Sequence, residues 1–508
     1  MDLVLMLNLF DKVSTTMEPF TISLVLISVV FVIFFVLKIC RNSTKFKLPP
    51  GPKAWPIIGN IHQLGDKPHR SVAELSKKYG PIMSLKLGTI TTVVISSPEL
   101  AKEMFLKHDL SFSSRTFPDA ARVSNHYKHS MVWLPVGPKW RDLRKIAVVQ
   151  VFTNHRLDSS QGLRQRKVAE LVDHVRHCCE TGKVVSVGKA AFSTTLNLLS
   201  NTFFSIDLGS HDSSSLQEFK DIVWASMELG AKPNVSDFFP LVRHFDLQGV
   251  FKKTSVYFEK MIGVFDRIIG KRLSDGIAVK DDVLGTLLKQ VEDNELSLED
   301  LRHLLFDLFV AGTDTTSSTL EWAMTELLRN PEKMAKAQEE LDQIIGKNTT
   351  TIQESDISKL PYTRAVVKET LRLHPPGPFL VPHKAEKDVQ LCGFSIPKDA
   401  QIWVNVWSIG RDSSVWPNAQ SFLPERFLES EVDFKGQSFE LLPFGAGRRM
   451  CPGMPLAYRM LHLMLATLLH SFNWKHAHGL SPEDIDMEEK FGITLQKAQP
   501  LQAIPLIR

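Results

Sequence analysis

Residues 443–455 read Pro-Phe-Gly-Ala-Gly-Arg-Arg-Met-Cys-Pro-Gly-Met-Pro, with Cys451 as their only cysteine. Gly445, Gly447 and Gly453 permit backbone conformations that are closed to other residues, and they let a flat group approach closely. Backbone N–H groups, together with the start of the helix predicted just after the turn, stabilise a negatively charged sulfur. The stretch therefore predicts a cysteine thiolate held in a tight turn.

A thiolate ligand of this kind suits iron or zinc. Zinc sites take several Cys or His ligands at short spacing, and the nearest other cysteine here is Cys392. A single axial bond to haem iron is the better match. A buried structural cysteine is the alternative.

Five residues of this stretch resemble, position for position, the haem-binding signature of cytochrome P-450 monooxygenases. They are Phe444, Gly447, Arg449, Cys451 and Gly453. The resemblance implies a mainly α fold, in which a large helical domain carries a minor β-sheet region. It also implies haem b (iron protoporphyrin IX) with the Cys451 thiolate as axial ligand, and electrons that come from NADPH through NADPH cytochrome P-450 reductase.

The composition fits a chain that buries a large core and has no nucleic-acid partner. The chain has 508 residues, 43% of them hydrophobic, and no linker, repeat or low-complexity tract after residue 60, so residues 61–508 are predicted to form one catalytic domain. The net charge of +4 comes without a basic run. Five cysteines, an odd number, argue against a disulfide framework and fit a domain that faces the reducing cytosol.

The uncharged apolar stretch at 20–37 is long enough to cross a lipid bilayer as a helix. A cleavable signal peptide is the competing interpretation, but no small-residue cleavage site follows the run. Lys and Arg follow the span and acidic residues precede it, so the positive-inside bias puts residues 1–19 in the lumen and the catalytic domain in the cytoplasm. These features predict a single-pass protein of the endoplasmic reticulum membrane.

Residues 38–60 are basic and then rich in proline, which fixes its own backbone and restricts its neighbour. A ligand for a proline-binding module is the alternative, but after an anchor the segment resembles the hinge of microsomal P-450 domains. Further on, Ile82 to Leu87 and Thr91 to Ser96 predict a small hairpin. Helical periodicity dominates the rest of the chain.

Trp140 and Arg144 stand four apart in a predicted helix and share one face. An ordinary amphipathic helix would show the same spacing, but the resemblance implies that this pair lies against a haem propionate. His383 ends a rigid apolar segment that runs beside the haem in the family, and relatives often carry arginine there, so its pairing with a propionate is left open. The cofactor contacts that the resemblance implies are Cys451, Arg449, Trp140, Arg144, His383, Phe444 and Gly445.

The second chemical centre is a long helix pattern from Leu304 to Thr325. Gly312 and a run of Thr and Ser weaken regular helix hydrogen bonding, which predicts a local distortion at a functional site. Ala311 and Gly312 would supply space beside the iron. In the resemblance, Asp314 and Thr315 are the catalytic pair that delivers protons to dioxygen. A helix with back-bonded threonines is the alternative.

Glu369 and Arg372 stand three apart on a predicted helix and can form an ion pair. Most such pairs lie on the surface. The resemblance implies instead that Glu369, Arg372 and Arg426 form a buried structural network behind the haem.

From the proline-rich segment to residue 494 the chain resembles plant enzymes of the geraniol 8-hydroxylase group. That resemblance implies hydroxylation of a small hydrophobic substrate, most simply a monoterpene alcohol such as geraniol in terpenoid biosynthesis; a phenolic diterpene or an aromatic amino acid such as tyrosine is the alternative. The predicted apolar pocket consists of Phe117, Phe309, Ala311, Phe379, Val381 and Ile493. Two other function classes are open. One is a reductase-independent hydroperoxide isomerase, although Asp314 and Thr315 argue against it. The other is a non-catalytic membrane protein that binds haem or lipid.

Overall fold

The computed structural model describes residues 23–24, 26–29, 47–211, 213–275, 282–347, 349, 351–477 and 479–508. Helices dominate these residues, and small sheets accompany them, as the resemblance implied. The α-helices are α1 Pro68–Tyr79, α2 Pro98–Lys107, α3 Pro138–Ala147, α4 Asn154–Ser159, α5 Gln161–Glu180, α6 Val187–Phe204, α7 Ser214–Ala231, α8 Val235–Phe238, α9 Val250–Asp275, α10 Val283–Glu292, α11 Leu298–Arg329, α12 Pro331–Ile344, α13 Pro361–Leu373, α14 Val406–Ile409 and α15 Met454–Ser471.

The strands are short and form one main sheet with smaller ribbons. They are β1 Ile82–Leu87, β2 Ile90–Ile95, β3 Ser114–Arg115, β4 Val185–Ser186, β5 His383–Lys384, β6 Val389–Leu391, β7 Phe394–Ile396, β8 Gln401–Val404, β9 Phe472–His476, β10 Glu489–Lys490, β11 Gln496–Lys497 and β12 Gln502–Ile507. The main sheet has the order β1-β2-β8-β5-β3, with β2 and β8 parallel and the other neighbours antiparallel. The smaller sheets are β4-β12-β9, β6-β7 and β10-β11.

The predicted hairpin is confirmed, because β1 and β2 pair antiparallel with Leu87 opposite Ile90. Gly88 turns the chain with a φ of 57°, a conformation that favours glycine. A Cβ at Gly88 would also lie 2.7 Å from the carbonyl oxygen of Phe238. The turn therefore lets the end of α8 rest against the main sheet.

Helix α11 is the buried centre of the fold. Its first turn is capped by Ser297, whose hydroxyl accepts the Asp300 N–H at 2.9 Å. From residue 303 to 328 every residue is buried except Ala311, Gly312 and Thr315. The helix packs against α6 on one side and α15 on another, so these three residues mark the one stretch of its middle that faces open space.

The proline-rich part of the predicted hinge belongs to the fold. The Ser84 N–H donates to the Pro50 carbonyl at 2.8 Å, and the Asn60 N–H donates to the Lys86 carbonyl at 2.6 Å, so the segment lines the edge of β1. A Cβ at Gly51 would lie 1.9 Å from the Ser84 carbonyl oxygen. The proline-rich half of the segment predicted as a hinge therefore lies along the edge of the main sheet.

The rest of the predicted N-terminal organisation lies largely outside the described residues. This holds for the tail at 1–19, for most of the anchor at 20–37 and for positions 38–46. Across the ranges given above, no helix is both long enough and apolar enough to cross a membrane.

Candidate active site

The turn that carries Cys451 is closed by its own backbone. The Cys451 N–H donates to the Phe444 carbonyl at 2.9 Å. Gly445 and Gly447 have φ values of 69° and 65°, in the left-handed region that favours glycine. A Cβ on Gly447 would lie 2.3 Å from Oδ1 of Asp109. Both glycines are therefore needed for the shape of the turn.

Gly453 differs from the other two glycines. Its φ of −81° and ψ of −1° lie in the right-handed helical region, which any residue adopts. The prediction of a special backbone conformation is wrong here, because Gly453 already leads into α15. Its contribution is a backbone donor: the N–H groups of Gly453 and Met454 point at the Cys451 sulfur.

Opposing influences act on the Cys451 thiol. Burial raises the pKa of the Cys451 thiol above its usual value, and the two N–H groups and the nearby Arg144 guanidinium offset only part of that rise. The sulfur lies deep in the fold, yet the side chain keeps accessible surface. A ligand atom can therefore reach the sulfur, and the two N–H groups and Arg144 are placed to offset part of the cost of its negative charge.

Three arginines gather beside the cysteine turn. They are Arg115, Arg144 and Arg449, which are called here the arginine cradle. Their guanidinium groups donate to backbone carbonyls, at 2.6 Å from Arg144 Nη2 to Met450 and 2.8 Å from Arg449 Nε to Ser113, while Arg115 donates to the Val381 carbonyl. No carboxylate in the described ranges lies within ion-pair distance of any of them.

This arrangement is electrostatically unfavourable for the chain by itself. Burial and then the other two guanidinium groups lower the pKa of Arg115 well below its usual range. Burial and then Arg144 lower the pKa of Arg449 to about 10. The Arg115 Nε has no hydrogen-bond partner although it is buried. Cations held together in this way, with a donor to spare, indicate a site for an anionic ligand.

Trp140 supports the cradle through its ring. The Cζ atoms of Arg449 and Arg144 lie 4.6 and 5.5 Å from the ring centroid. The indole N–H of Trp140 donates to the Met131 carbonyl at 3.1 Å. Trp140 therefore positions the arginines, while its own donor is used by the backbone.

His383 is a neutral neighbour of the cradle. It lies opposite Arg115 where β5 pairs with β3. His383 Nδ1 lies 2.7 Å from the Phe112 carbonyl oxygen, so it carries the proton and donates it there. Burial, followed by Arg115 and Arg449, lowers the pKa of His383 well below its usual range.

A buried ion network lies behind the turn. Arg372 Nε and Nη2 each donate to Glu369 at 2.7 Å, and Arg426 Nε donates to the same carboxylate at 3.1 Å. Glu369 and Arg372 are almost fully buried. The three residues that the resemblance assigned to a structural network thus share one carboxylate.

On α11, hydroxyl side chains bond to the turn before them. Thr315 Oγ1 donates to the Ala311 carbonyl at 2.8 Å, and Thr313 and Thr319 bond to their own i−4 carbonyls in the same way. The α-helix continues without interruption from 298 to 329. The predicted distortion is wrong, because the hydroxyls share these carbonyls with the helix ladder without displacing it.

Gly312 allows close helix packing in addition to leaving room beside the predicted haem site. A Cβ at Gly312 would lie 2.9 Å from Cδ1 of Leu199 on α6. Glycine therefore lets α6 and α11 approach closely, while Ala311 and Thr315 face the open side.

Asp314 is held from the C-terminal hairpin. Gln496 Nε2 donates to Asp314 Oδ1 at 2.7 Å, and the carboxyl is 1% exposed. Burial raises the pKa of Asp314, although Thr494, Gln496 and the more distant Lys220 lower it. Asp314 can therefore hold a proton at a pH where an exposed aspartate has lost it.

A cavity of about 140 Å³ opens beside the arginine cradle. Its wall includes four residues of the predicted pocket, Phe117, Phe379, Val381 and Ile493. Ala311 does not line it but keeps accessible surface on α11. This space, named here the substrate cavity, is mainly apolar and touches the cradle where Arg115 bonds to Val381.

Phe309 does not belong to this pocket. It is fully buried, and its ring lies 5.3 Å from Phe204 and 5.2 Å from Phe265, centroid to centroid. The structure therefore places Phe309 in the aromatic core between α6, α9 and α11, outside the wall of the substrate cavity.

Known proteins match most of the chain. The family model named Cytochrome P450 matches residues 49–502. The chain belongs to the cytochrome P450 family. Among curated relatives, "Cytochrome P450 monooxygenase 76AD131" of Lophophora williamsii is 55% identical over 97% of this chain and 100% of its own length. "Geraniol 8-hydroxylase" of Catharanthus roseus is 55% identical over 90% of this chain and 94% of its own length, and "Geranylhydroquinone 3''-hydroxylase CYP76B74" of Arnebia euchroma is 46% identical over 94% and 97%.

The chain is thus a plant-type P450 monooxygenase that resembles the geraniol 8-hydroxylase group. Its family cofactor is haem with a cysteine thiolate ligand, and its electrons derive from NADPH through a reductase. The residues fit this group: the accessible Cys451 sulfur provides the ligand, and the arginine cradle offers donors without an acidic partner. Two propionates are the anions that such a cradle suits.

Two residues of the candidate site, Arg115 and Gln496, escaped the sequence analysis. Arg115 lies on a two-residue strand, and nothing in its local sequence indicates that it meets Val381 or the other arginines. Gln496, which holds Asp314, lies 182 residues away along the chain. For Arg115, the only local feature is the Ser-Arg pair of β3. That pair indicates a site residue only once its pairing with His383 is known.

Proposed function

We propose that this P450 hydroxylates a small apolar alcohol, a monoterpene alcohol such as geraniol, with electrons that NADPH cytochrome P-450 reductase delivers from NADPH. The observation that carries the proposal is the substrate cavity, whose wall is mainly aromatic and aliphatic and which adjoins the arginine cradle. The relatives named for geraniol hydroxylation support the same substrate class. In the balanced reaction, dioxygen, NADPH and a proton convert the alcohol to a diol, water and NADP⁺.

On the cysteine side, the chain's own groups hold the cofactor. The Cys451 sulfur serves as the metal ligand, and the Gly453 and Met454 N–H groups stabilise its negative charge. Arg115, Arg144 and Arg449 would pair with the propionates. When bound, haem supplies the activation of dioxygen from which one oxygen atom enters a substrate C–H bond.

On the side of the site formed by α11, Asp314 and Thr315 deliver protons to dioxygen. Thr315 is the accessible hydroxyl of α11, and it can turn from the Ala311 carbonyl towards a ligand. Burial raises the pKa of Asp314, which favours the protonated form that a proton donor needs. This pair supports an oxygen-cleaving monooxygenase over a hydroperoxide isomerase, which needs no proton delivery.

We also propose the membrane arrangement that the sequence predicts. Residues 20–37 anchor the protein in the endoplasmic reticulum membrane, with residues 1–19 in the lumen and the catalytic domain in the cytoplasm. Residues 38–60, which are basic and then rich in proline, form the hinge between the anchor and the catalytic domain. The support is the hydropathy and charge pattern of the sequence.

The test is a microsomal assay with co-expressed plant reductase and NADPH. Geraniol, nerol, a phenolic diterpene and tyrosine are offered together, and products are identified by mass spectrometry. A hydroxylated monoterpene alcohol is the expected product. Oxidation of the phenol or of tyrosine alone would contradict the substrate class, and turnover without NADPH would contradict the reaction class.

A further inference from the structure

The substrate cavity has one acidic side chain in its wall. Of the described residues that line it, Asp237 on α8 is the only carboxylic acid. The other charged residue of the wall, Lys232, is exposed. Around Asp237 the wall is apolar, with Pro118, Phe238 and Phe491 among its members. Thr116, Gln401 and Trp403 also lie in the wall, but Asp237 carries its only carboxyl group among the described residues, and a carboxyl on a mainly apolar wall can fix the orientation of a ligand.

Asp237 is held in place without an ion pair of its own. The Asp119 N–H donates to Asp237 Oδ1 at 2.5 Å. The cations nearby are engaged by the buried Asp119 carboxylate, which lies 3.0 Å from Arg243 Nε and 3.6 Å from Arg122 Nε. Burial raises the pKa of Asp237 to about 7, and the Asp119 carboxylate adds to this, although the Asp119 N–H and the two nearby arginines lower it. The carboxyl is therefore fixed at one oxygen and can bond to a ligand with the other.

The position of Asp237 matches the outer end of a substrate. Arg115 marks the inner end, because it bonds to Val381 of the same wall. Asp119, which holds Asp237, follows Arg115 by four residues, and four residues span at most about 14 Å. A chain-like substrate that presents its far carbon near the cradle can thus place its other end at Asp237.

We propose that the Asp237 carboxyl recognises the hydroxyl group of an alcohol substrate and so selects alcohols over hydrocarbons of the same shape. This inference rests on the proposed function, since it assigns the polar end of that substrate to a residue. A hydroxyl group both donates and accepts hydrogen bonds, so it can bond to the Asp237 carboxyl in either its protonated or its ionised form. An ammonium group, in contrast, would bind more tightly only to the ionised Asp237 carboxylate.

The experiment measures equilibrium binding to the holoenzyme by dialysis. The ligands are geraniol, the hydrocarbon that lacks its hydroxyl group, and the corresponding primary amine, at pH 6 and pH 8. We expect geraniol to bind about 10-fold more tightly than the hydrocarbon at both pH values, the effect of one ordinary hydrogen bond. An amine that binds more tightly than geraniol, and increasingly so at pH 8, would overturn the choice of an alcohol.

Three variants separate recognition from structural support. Asp237→Leu should abolish the preference for geraniol while leaving hydrocarbon affinity within about 3-fold, because only the hydrogen bond is lost. Asp237→Asn should keep the preference, since an amide also donates and accepts. Lys232→Met, which removes the other charged residue of the wall and leaves Asp119 and Asp237 in place, should keep the preference.

The outcomes distinguish this inference from the proposed function. If Asp237→Leu retains the preference, or loses affinity for both ligands alike, Asp237 has only a structural role. If the wild-type preference depends on Asp237 but no panel alcohol is turned over, the proposed substrate is wrong and the role of Asp237 stands. If geraniol is hydroxylated but binding shows no preference for the hydroxyl, the proposed function stands and this inference fails.

Discussion

The cysteine side of the site and the substrate cavity are assembled in different ways. The turn around Cys451 is one continuous stretch of chain. A backbone hydrogen bond from Cys451 to Phe444 closes it, and the Asp109 carboxylate packs against it at Gly447. The wall of the cavity comes from separate segments near residues 117, 237, 379, 402 and 492. The difference shows why the reaction class can be inferred from a short motif, whereas the substrate depends on how distant segments fold together.

The largest expected effect comes from the ligand itself. Cys451→Ser should lose bound haem and all NADPH-dependent turnover, because a serine oxygen replaces the soft thiolate that iron prefers here. Haem content and product formation are measured on purified protein. Cys392→Ser, outside the turn, is the matched control and should retain both. Full activity of Cys451→Ser would contradict the role of Cys451 as the haem ligand.

The network behind the turn should matter mainly for stability. Arg372→Met leaves the buried Glu369 carboxylate with one guanidinium partner fewer, and should lower the free energy of unfolding by about 3 to 5 kcal/mol. Urea unfolding followed by circular dichroism measures the change. Lys77→Met, which breaks the exposed pair with Glu74, should cost less than about 1 kcal/mol. Equal effects of the two variants would contradict a buried network.

Arg115 tests whether the cradle holds propionates. Arg115→Met should speed transfer of haem to an acceptor apoprotein by about 10- to 100-fold, since a charge-assisted hydrogen bond is lost. Arg448→Met is the control, because Arg448 is half-exposed and pairs with Asp109 on the surface side of the turn. An unchanged transfer rate in Arg115→Met would remove Arg115 from the cofactor site.

Thr315 tests the distal side. Thr315→Ala should raise peroxide release and lower product per NADPH by roughly 10-fold, because proton delivery loses its hydroxyl. Thr319→Ala removes an equivalent back-bonded hydroxyl one turn later, where the side chain is buried, and should stay coupled. Peroxide and product are measured in the same reaction. Equal coupling in both variants would contradict the role of Thr315.

Asp237 should also give the stability of the protein a pH dependence. Its pKa of about 7 in the fold lies above that of an unfolded aspartate, so the folded chain binds more protons between pH 4 and pH 7. Stability from this group therefore falls as pH rises through that window, by no more than about 1.4 kcal/mol per pH unit. Asp237→Asn should remove the slope. Parallel stability curves for variant and wild type would contradict it.

Prediction from sequence succeeded where the residues that act together are neighbours in the chain. The Cys451 turn, the β1–β2 hairpin and the Glu369–Arg372 pair all follow from local spacing. It failed where packing decides the outcome. Phe309 has the right character for a pocket but faces the aromatic core, and Gly453 has the right residue type but an ordinary backbone.

Contacts between distant segments could not be predicted for the same reason. Arg115 meets Val381 across 266 residues, and Gln496 meets Asp314 across 182. A single sequence holds no periodicity or spacing that relates such positions. Asp237 is a similar case, because it becomes part of the cavity only when α8 rests on the Gly88 turn and the Asp119 segment.

The central claim is that Cys451 binds haem as a thiolate in the setting that its turn and the arginine cradle provide. The most direct measurement is the carbon monoxide difference spectrum of the reduced, purified protein. The account predicts the absorption band of thiolate-ligated haem, present in the wild type and absent in Cys451→Ser. A wild-type spectrum of the histidine-ligated type, or a thiolate band that survives in the variant, would contradict it.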